Sequence, residues 1–405
     1  MRTRTWYVAA ALSCVSATAS SQTVLTEADA LARLSADSPR VRAIRADVEV
    51  ARAEVLAAGR WPNPRLTINR ESVAGIAELM ALVTQPLPIT GRRGLEVQAA
   101  SATADAASSR ADGAVRVARA ELRAAYADLV AAQGREAELT RARDRLRELA
   151  DVLGRRETAG ESAGYDRLRA DREVLDVEES RAAARADRFR AQGTVAAFFA
   201  GAVDPAALVA AAPAAPRTAL PSLEDLVARA QTVRGELVAL RHEADSARFA
   251  WQAAERRLVP EPEIVAGSKS SNALGGDIGS VLSVHLAVPL FDRARPERAM
   301  AAAKLAQAEA RAEAFQVALH AQIAASRGVV VERRESADRY RAAAEGIERL
   351  ERIALVSYEA GERGILELLD AYRSGSAARV RQAELDAAAR RAEIELEWAS
   401  GWEIR

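Results

Sequence analysis

The sequence predicts a mainly α protein with a small β part: two long helical hairpins, one in each half of a duplicated chain, and four short strands. Three observations predict it. Apolar and small residues recur in alternating steps of three and four along one long stretch, the spacing of a coiled-coil seam. Two glycine-bracketed turns interrupt the long Ala- and Arg-rich segments. A series of landmarks then recurs about 200 residues later, far beyond the period of a solenoid.

The 405 residues suffice for two or three domains. Lys+Arg and Asp+Glu are both 57, so net charge gives no argument for nucleic acid or for an acidic partner. Mixed charge at 28% with 4% aromatics reads as solvated helix faces. Arg dominates the cations, Lys occurring only at Lys269 and Lys304, and this bias is given no functional weight.

The chain opens Met1-Arg2-Thr3-Arg4, runs apolar from Trp6 to Val15 and reaches Ala17-Thr18-Ala19. This pattern predicts a secretory signal over 1–19, cut after Ala19. The single cysteine, Cys14, lies within it, and Ala11-Leu12-Ser13-Cys14 is a degenerate lipid-attachment box. No disulfide or thiol chemistry is then expected of the mature chain. No later run has the ~18 apolar residues of a membrane-spanning helix. Export then leads to the periplasm, to the medium, or to a β-barrel in an outer membrane.

The first repeat is assigned to 20–216 with its linker and the second to 217–405. Residues 25–59 read as a helix with Thr26 as N-cap and Asp29 at N3. It stops at Trp61-Pro62-Asn63-Pro64, because proline cannot continue a helix and holds its predecessor extended. Two short segments follow, 64–72 and 77–87. Gln85-Pro86-Leu87 then leads into a helix over 92–153, whose seam runs from Val115 through Leu122, Leu129, Leu139 and Leu146 to Leu153, interrupted once by Glu136. Gly160 and Gly164 bracket a turn, and the return helix covers 163–200. The Ala- and Pro-rich linker from Gly201 to Ser222 has no period and reads as irregular surface chain.

The chain then begins again. Val41-Arg42-Ala43-Ile44-Arg45 is echoed by Leu237-Val238-Ala239-Leu240-Arg241, Pro62-Asn63-Pro64 by Pro260-Glu261-Pro262, and Gln85-Pro86-Leu87 by Val288-Pro289-Leu290. Two more strands are placed at 262–271 and 278–288. The second alternates with a period of two, placing Ile278, Ser280, Leu282, Val284, Leu286 and Val288 on one mainly apolar face. Helices over 295–357 and 365–400 close the repeat, joined at Gly361 and Gly364, which bracket Glu362-Arg363. Each strand has roughly the ten residues that cross a bilayer when tilted. Four strands cannot close a barrel, so a membrane location demands several chains. Two small soluble hairpins at the ends of helical rods are the alternative.

The duplicated layout, Gln85-Pro86-Leu87 with Gly91-Arg92-Arg93, Val288-Pro289-Leu290-Phe291-Asp292, and above all Tyr358 to Ala371 with Gly361, Arg363 and Ile365-Leu366-Glu367-Leu368-Leu369-Asp370 resemble the TolC-type outer-membrane efflux channels. The likeness covers about 25–402 and is greatest to the heavy-metal-efflux-like branch. It implies a homotrimer in which three chains share a twelve-stranded outer-membrane barrel and a twelve-helix periplasmic α-barrel. It also implies a periplasmic adaptor, an inner-membrane pump of the resistance–nodulation–division type, and a passive exit duct for small toxic solutes or metal ions. Within the resemblance, Glu367 and Asp370 fall where carboxylates ring the periplasmic entrance; three apart, they share a helix face and favour cations. Asp166, Tyr358 and Arg363 fall where polar links between neighbouring hairpins hold the entrance shut, Arg363 with Asp166 as a charge-assisted pair.

A protein-secretion duct coupled to an ATP-driven exporter is a second transport reading. A periplasmic coiled-coil adaptor is a reading of another class, although adaptors usually carry one hairpin. No phosphate-binding glycine loop, nucleophile elbow or metal-ligand spacing occurs, and His242, His285 and His320 are isolated. No cofactor, no enzymatic activity and no nucleic-acid partner are expected.

Overall fold

In a computed structural model the described residues are 23–160, 164–201, 203–212, 218–288, 290–291, 293–344 and 346–403. The signal-peptide reading of 1–19 and Cys14 lie outside them. Residues 25–59 form two helices rather than one. Helix α1, Glu27–Arg33, is capped by Thr26, whose side chain accepts from the Asp29 amide while the Asp29 carboxylate accepts from the Thr26 amide. Helix α2, Pro39–Ala58, restarts behind its own cap, Ser38, with Pro39 in the first turn. Strands β2, Arg65–Val73, and β3, Ile76–Pro86, follow; helix α3 then runs unbroken from Arg92 to Thr158. Its 67 residues span about 100 Å at 1.5 Å each. Helix α4, Gly164–Ala196, returns along it.

The linker is not irregular throughout. Leu208–Ala210 forms strand β4, parallel to β1, Thr23–Leu25. Both are short, and no three-residue pattern carries a period. They form because the backbone groups find partners on α3: the Tyr126 hydroxyl lies 2.7 Å from the carbonyls of Leu25 and Ala211, and Gln133 both donates to and accepts from Ala210. Leu25, Leu122, Leu129 and Leu208 are buried around them.

The second half repeats the order. Helices α5, Leu223–Val233, and α6, Gly235–Arg256, precede strands β5, Pro262–Ser271, and β6, Asp277–Leu286. In the final hairpin α7, Arg295–Ala344, and α8, Ile347–Glu359, make the first arm, and α9, Ile365–Ser400, returns. Helix α3 is the spine, packing against α2, α4, α6 and α9. At the predicted seam of α3, Ala118, Leu122, Leu129, Leu139, Leu146 and Leu153 are buried. Glu136, which breaks the seam, accepts a 2.5 Å hydrogen bond from Arg188 of α4, so the interruption is an ion pair across the hairpin. Where α6 starts against α3, a Cβ on Gly235 would lie 2.3 Å from the Ser109 carbonyl oxygen; the two backbones touch there.

The four strands form one antiparallel sheet in the order β2-β3-β5-β6. The register places Leu66, Ile68, Val83, Leu282, Val284 and Leu286 on a single face, and all six are exposed. The other face carries Lys269–Glu78 and Arg65–Glu263 pairs, each at 2.7–2.8 Å, and buries Val265. Neither β2 nor β6 has a partner on its outer edge among the described residues.

Gly235→Ala should lower the melting temperature by several degrees in a thermal scan, since backbone atoms cannot yield as a side chain does; a cost of 1–3 kcal/mol is the usual order for overpacking. An unchanged melt would show that α6 can shift away from α3.

Candidate functional site

The site lies at the end of the two hairpins. Gly160 and Gly361 adopt left-handed φ of 77° and 75°, and their amides bond back to Glu157 and Tyr358, so glycine ends each outgoing helix. Gly164 and Gly364 serve differently. Each begins a return helix without a positive φ, and a Cβ on Gly364 would come within 3.1 Å of a Glu367 carboxylate oxygen. Behind the turns, Leu146, Leu149 and Leu153 of α3, Ala170 of α4, Ala354 of α8 and Ile365, Leu368 and Leu369 of α9 make one buried cluster. Both hairpins therefore share a core at their tips.

That core fixes what α9 shows to solvent. With Ile365, Leu368 and Leu369 buried, Glu367 and Asp370 point away from it and both are exposed. Neither carboxylate is in an ion pair among the described residues, whereas Arg373, one turn on, is engaged by Glu173 of α4 at 2.9 and 2.5 Å. The tip thus presents two carboxylates outside any ion pair among the described residues on one helix face, with the Arg373 charge one turn from Asp370.

The three residues read as a lock are not all brought together. The Tyr358 hydroxyl donates to Asp166 at 3.0 Å and links α8 to α4 within the chain. Burial, then the hydrogen bond and charge of Asp166, pushes the Tyr358 hydroxyl up to about 12, so the donor keeps its proton throughout the physiological range. Arg363 does not reach Asp166 in this chain. It is exposed in the turn, without an ion pair among the described residues, while Tyr358, packed on the tip cluster, uses one oxygen of Asp166 and leaves the other open.

A second polar node lies deeper, near the start of α8. Glu351 of α8 is buried, with Arg379 of α9 at 2.6 Å and Arg145 of α3 at 2.8 Å. A Cβ on Gly375 would fall 1.9 Å from its carboxylate, so glycine there makes the room. Beside it, α3, α4 and α9 line a groove of about 380 Å³ floored by Leu139, Ala142, Leu146 and Val177 and edged by Arg145, Glu173 and Arg373.

No protein-family model matches the sequence, and no curated protein does. Solved structures match over nearly the whole chain. CusC, studied for folding and transmembrane channel formation, has a TM-score of 0.77 at 15% identity, covering 93% of this chain and 92% of its own. The outer membrane protein VceC of Vibrio cholerae gives 0.74 at 16%, covering 94% and 97%. The MtrE outer membrane channel of Neisseria gonorrhoeae, in its open state, gives 0.74 at 16%, covering 93% and 88%. This chain has the fold of an outer-membrane channel. These neighbours are channel proteins and not enzymes, and at such identities the likeness carries the fold alone.

Within that fold, a third node ties the middle of the rods. Glu27 of α1 accepts from Arg123 of α3 at 2.5 Å and from Arg390 of α9 at 3.0 and 3.1 Å. Arg123 also reaches Glu397, and Arg334 of α7 pairs with Glu393 at 2.7 Å. Burial pushes the Glu27 carboxyl up, but the hydrogen bond from Arg123 and the two arginine charges outweigh it and hold it below its ordinary value. Sequence reasoning missed this node and the one at Glu351. Their members lie up to 363 positions apart, so no spacing rule connects them. The only signal was the near-total use of Arg over Lys, which suits sites bridging two carboxylates.

Among the described residues there is no cluster of three metal-ligating side chains and no helix long and apolar enough to cross a membrane.

Two outcomes follow from these nodes. Glu351→Ala removes the carboxylate shared by Arg145, which is partly exposed, and Arg379, which keeps Glu138 at 3.3 Å, and should destabilise by about 1–3 kcal/mol in chemical denaturation; a loss under about 0.5 kcal/mol would mean that water and Glu138 already satisfy the arginines. The depressed Glu27 carboxyl supplies stability that is complete above its ordinary value of 4.5 and lost as pH falls through the lowered one. The melting-point gap between wild type and Glu27→Gln should accordingly be constant at neutral pH and close below about pH 4.5.

Proposed function

We propose that the chain is the outer-membrane component of a tripartite efflux system, three copies of which form a passive exit duct. The observation that carries this reading is the sheet: an exposed apolar face, a polar opposite face and two outer edges without partners. Lipid offers no hydrogen bonds, so such edges must be closed by strands of other copies. Three copies of four strands make twelve, within the size range of outer-membrane barrels. The apolar face then meets lipid and the Lys269–Glu78 and Arg65–Glu263 face lines the lumen. The likeness to outer-membrane channels supports the same reading.

Below the sheet, rods of about 100 Å reach into the periplasm and place the tips toward a periplasmic adaptor and an inner-membrane pump of the resistance–nodulation–division type, which supplies the energy and selects small toxic solutes or metal ions as cargo. At the tip, Glu367 and Asp370 of three chains form a ring of carboxylates that admits cations in preference to anions. Arg363, unpaired within its own chain, meets Asp166 of the next chain and holds the entrance narrow; Tyr358 keeps that Asp166 in place. An MtrE channel has been seen in an open state, and parting of the Arg363–Asp166 links is the corresponding step here.

The test is conductance in planar bilayers with the detergent-purified protein, alongside its mass by light scattering. A conducting trimer is expected. In Glu367→Ala/Asp370→Ala the cation-over-anion permeability ratio should fall toward one, with the trimer intact. A monomer without conductance would overturn the duct; unchanged selectivity would remove the two carboxylates from the pore.

A further inference from the structure

At the end of the sheet where the long helices begin, four separate segments are tied to one level. Gln85 donates to the Pro62 carbonyl at 3.1 Å, the Leu87 amide to the Pro262 carbonyl at 2.9 Å, Thr90 and Arg92 to Glu261 at 2.7 and 2.8 Å, and Arg257 to Glu297 at 3.3 Å. Two kinds of side chain project from this level without a partner. Trp61, Ile89, Val288, Leu290 and Phe291 are exposed large apolar residues, Phe291 at 99%. Arg60, Arg93, Arg256, Arg293 and Arg295 are in no ion pair among the described residues, although Arg93 lies 5.0 Å over the Trp61 ring.

The charge is local. Residues 60–65, 92–96, 255–263 and 291–298 hold nine Arg against six Asp and Glu in a chain that is neutral overall. At the other end of the strands, 70–78 and 269–277 hold two cations and three carboxylates. Four of the carboxylates at the basic end, Glu96, Glu261, Glu263 and Glu297, are already engaged by Arg92, Arg65 and Arg257, so the five arginines keep their charge.

We infer that this level is a collar for anionic phospholipid headgroups: the apolar residues enter the acyl region of the periplasmic leaflet while the free arginines bind lipid phosphates. Aromatic residues with a cation beside them suit the boundary where one end is apolar and the other wet. Each arginine close to an anionic surface adds to the attraction. A soluble anion would satisfy the charges but leave Phe291 and its neighbours in water, which is why the occupant is a lipid. The inference rests on the sheet lying in a membrane, and it fixes the depth at which the barrel sits and which boundary is the periplasmic one.

The experiment uses the full-length protein in non-ionic detergent, titrated with phosphatidylglycerol or with phosphatidylethanolamine of the same acyl chains, read by native mass spectrometry and thermal melting. Retention of phosphatidylglycerol should exceed that of phosphatidylethanolamine about tenfold, with a higher melting point. The preference should vanish in Arg93→Gln/Arg293→Gln/Arg295→Gln and persist in Arg172→Gln/Arg339→Gln/Arg381→Gln, which removes as many exposed charges elsewhere. Equal retention of the two lipids by the wild type, or an intact preference in the first variant, overturns the collar. So does an equal melting shift from inorganic phosphate alone. Conductance of the same samples separates the two ideas: conducting protein without lipid preference sinks the collar only, and lipid preference without conductance sinks the duct only.

Discussion

The backbone of a β-strand carries donors and acceptors on both sides, and in the four-stranded sheet only the inner pairs are satisfied among the described residues. Strands β3 and β5 are bonded along both edges, while β2 and β6 each keep one edge open. In water such edges cost little. Were the exposed apolar face in lipid, as proposed, each open group would cost several kcal/mol. Closure by further copies would satisfy both demands, and most other features can be ordered around it. The two halves of the chain each contribute a hairpin of strands, joined by the β3–β5 pairing, and each hangs a long helical hairpin beneath.

The rods meet a different constraint. Alanine at many seam positions lets helices approach closely, but small apolar contacts specify register weakly. Arginine supplies what they lack. The nodes at Glu27, Glu351 and Glu173 each join helices from both halves of the chain, and each is placed at a different level of the rod. Buried or half-buried pairs of this kind add little net stability compared with apolar packing, but a slip of one turn would leave a charge without its partner. Gly375 belongs to the same logic: without a side chain there, Glu351 of α8 has room beside α9 to reach Arg379.

At the tips, the buried cluster and the exposed charges are two sides of one helix. Packing Leu368 and Leu369 inward turns Glu367 and Asp370 outward, so the polar face that would line an entrance is set by the core behind it. Asp166 is held by Tyr358 from its own chain, and Arg363 stands exposed in the turn.

What the sequence determined was everything governed by local rules. The three–four seam of α3, the period of two in β6, the N-cap at Thr26 and the glycine turns at Gly160 and Gly361 depend on residues within a few positions of one another, and the pattern alone placed them. The tertiary structure decided the rest. It divided the first helix at Ser38, and it made strands of Thr23–Leu25 and Leu208–Ala210 because Tyr126 and Gln133 stand ready to bond them. It hydrogen-bonded Tyr358 to Asp166 across the two hairpins, and gathered Glu27, Arg123 and Arg390 from three distant helices. Such contacts depend on distances in space between segments hundreds of residues apart, and a linear periodicity holds no record of those distances.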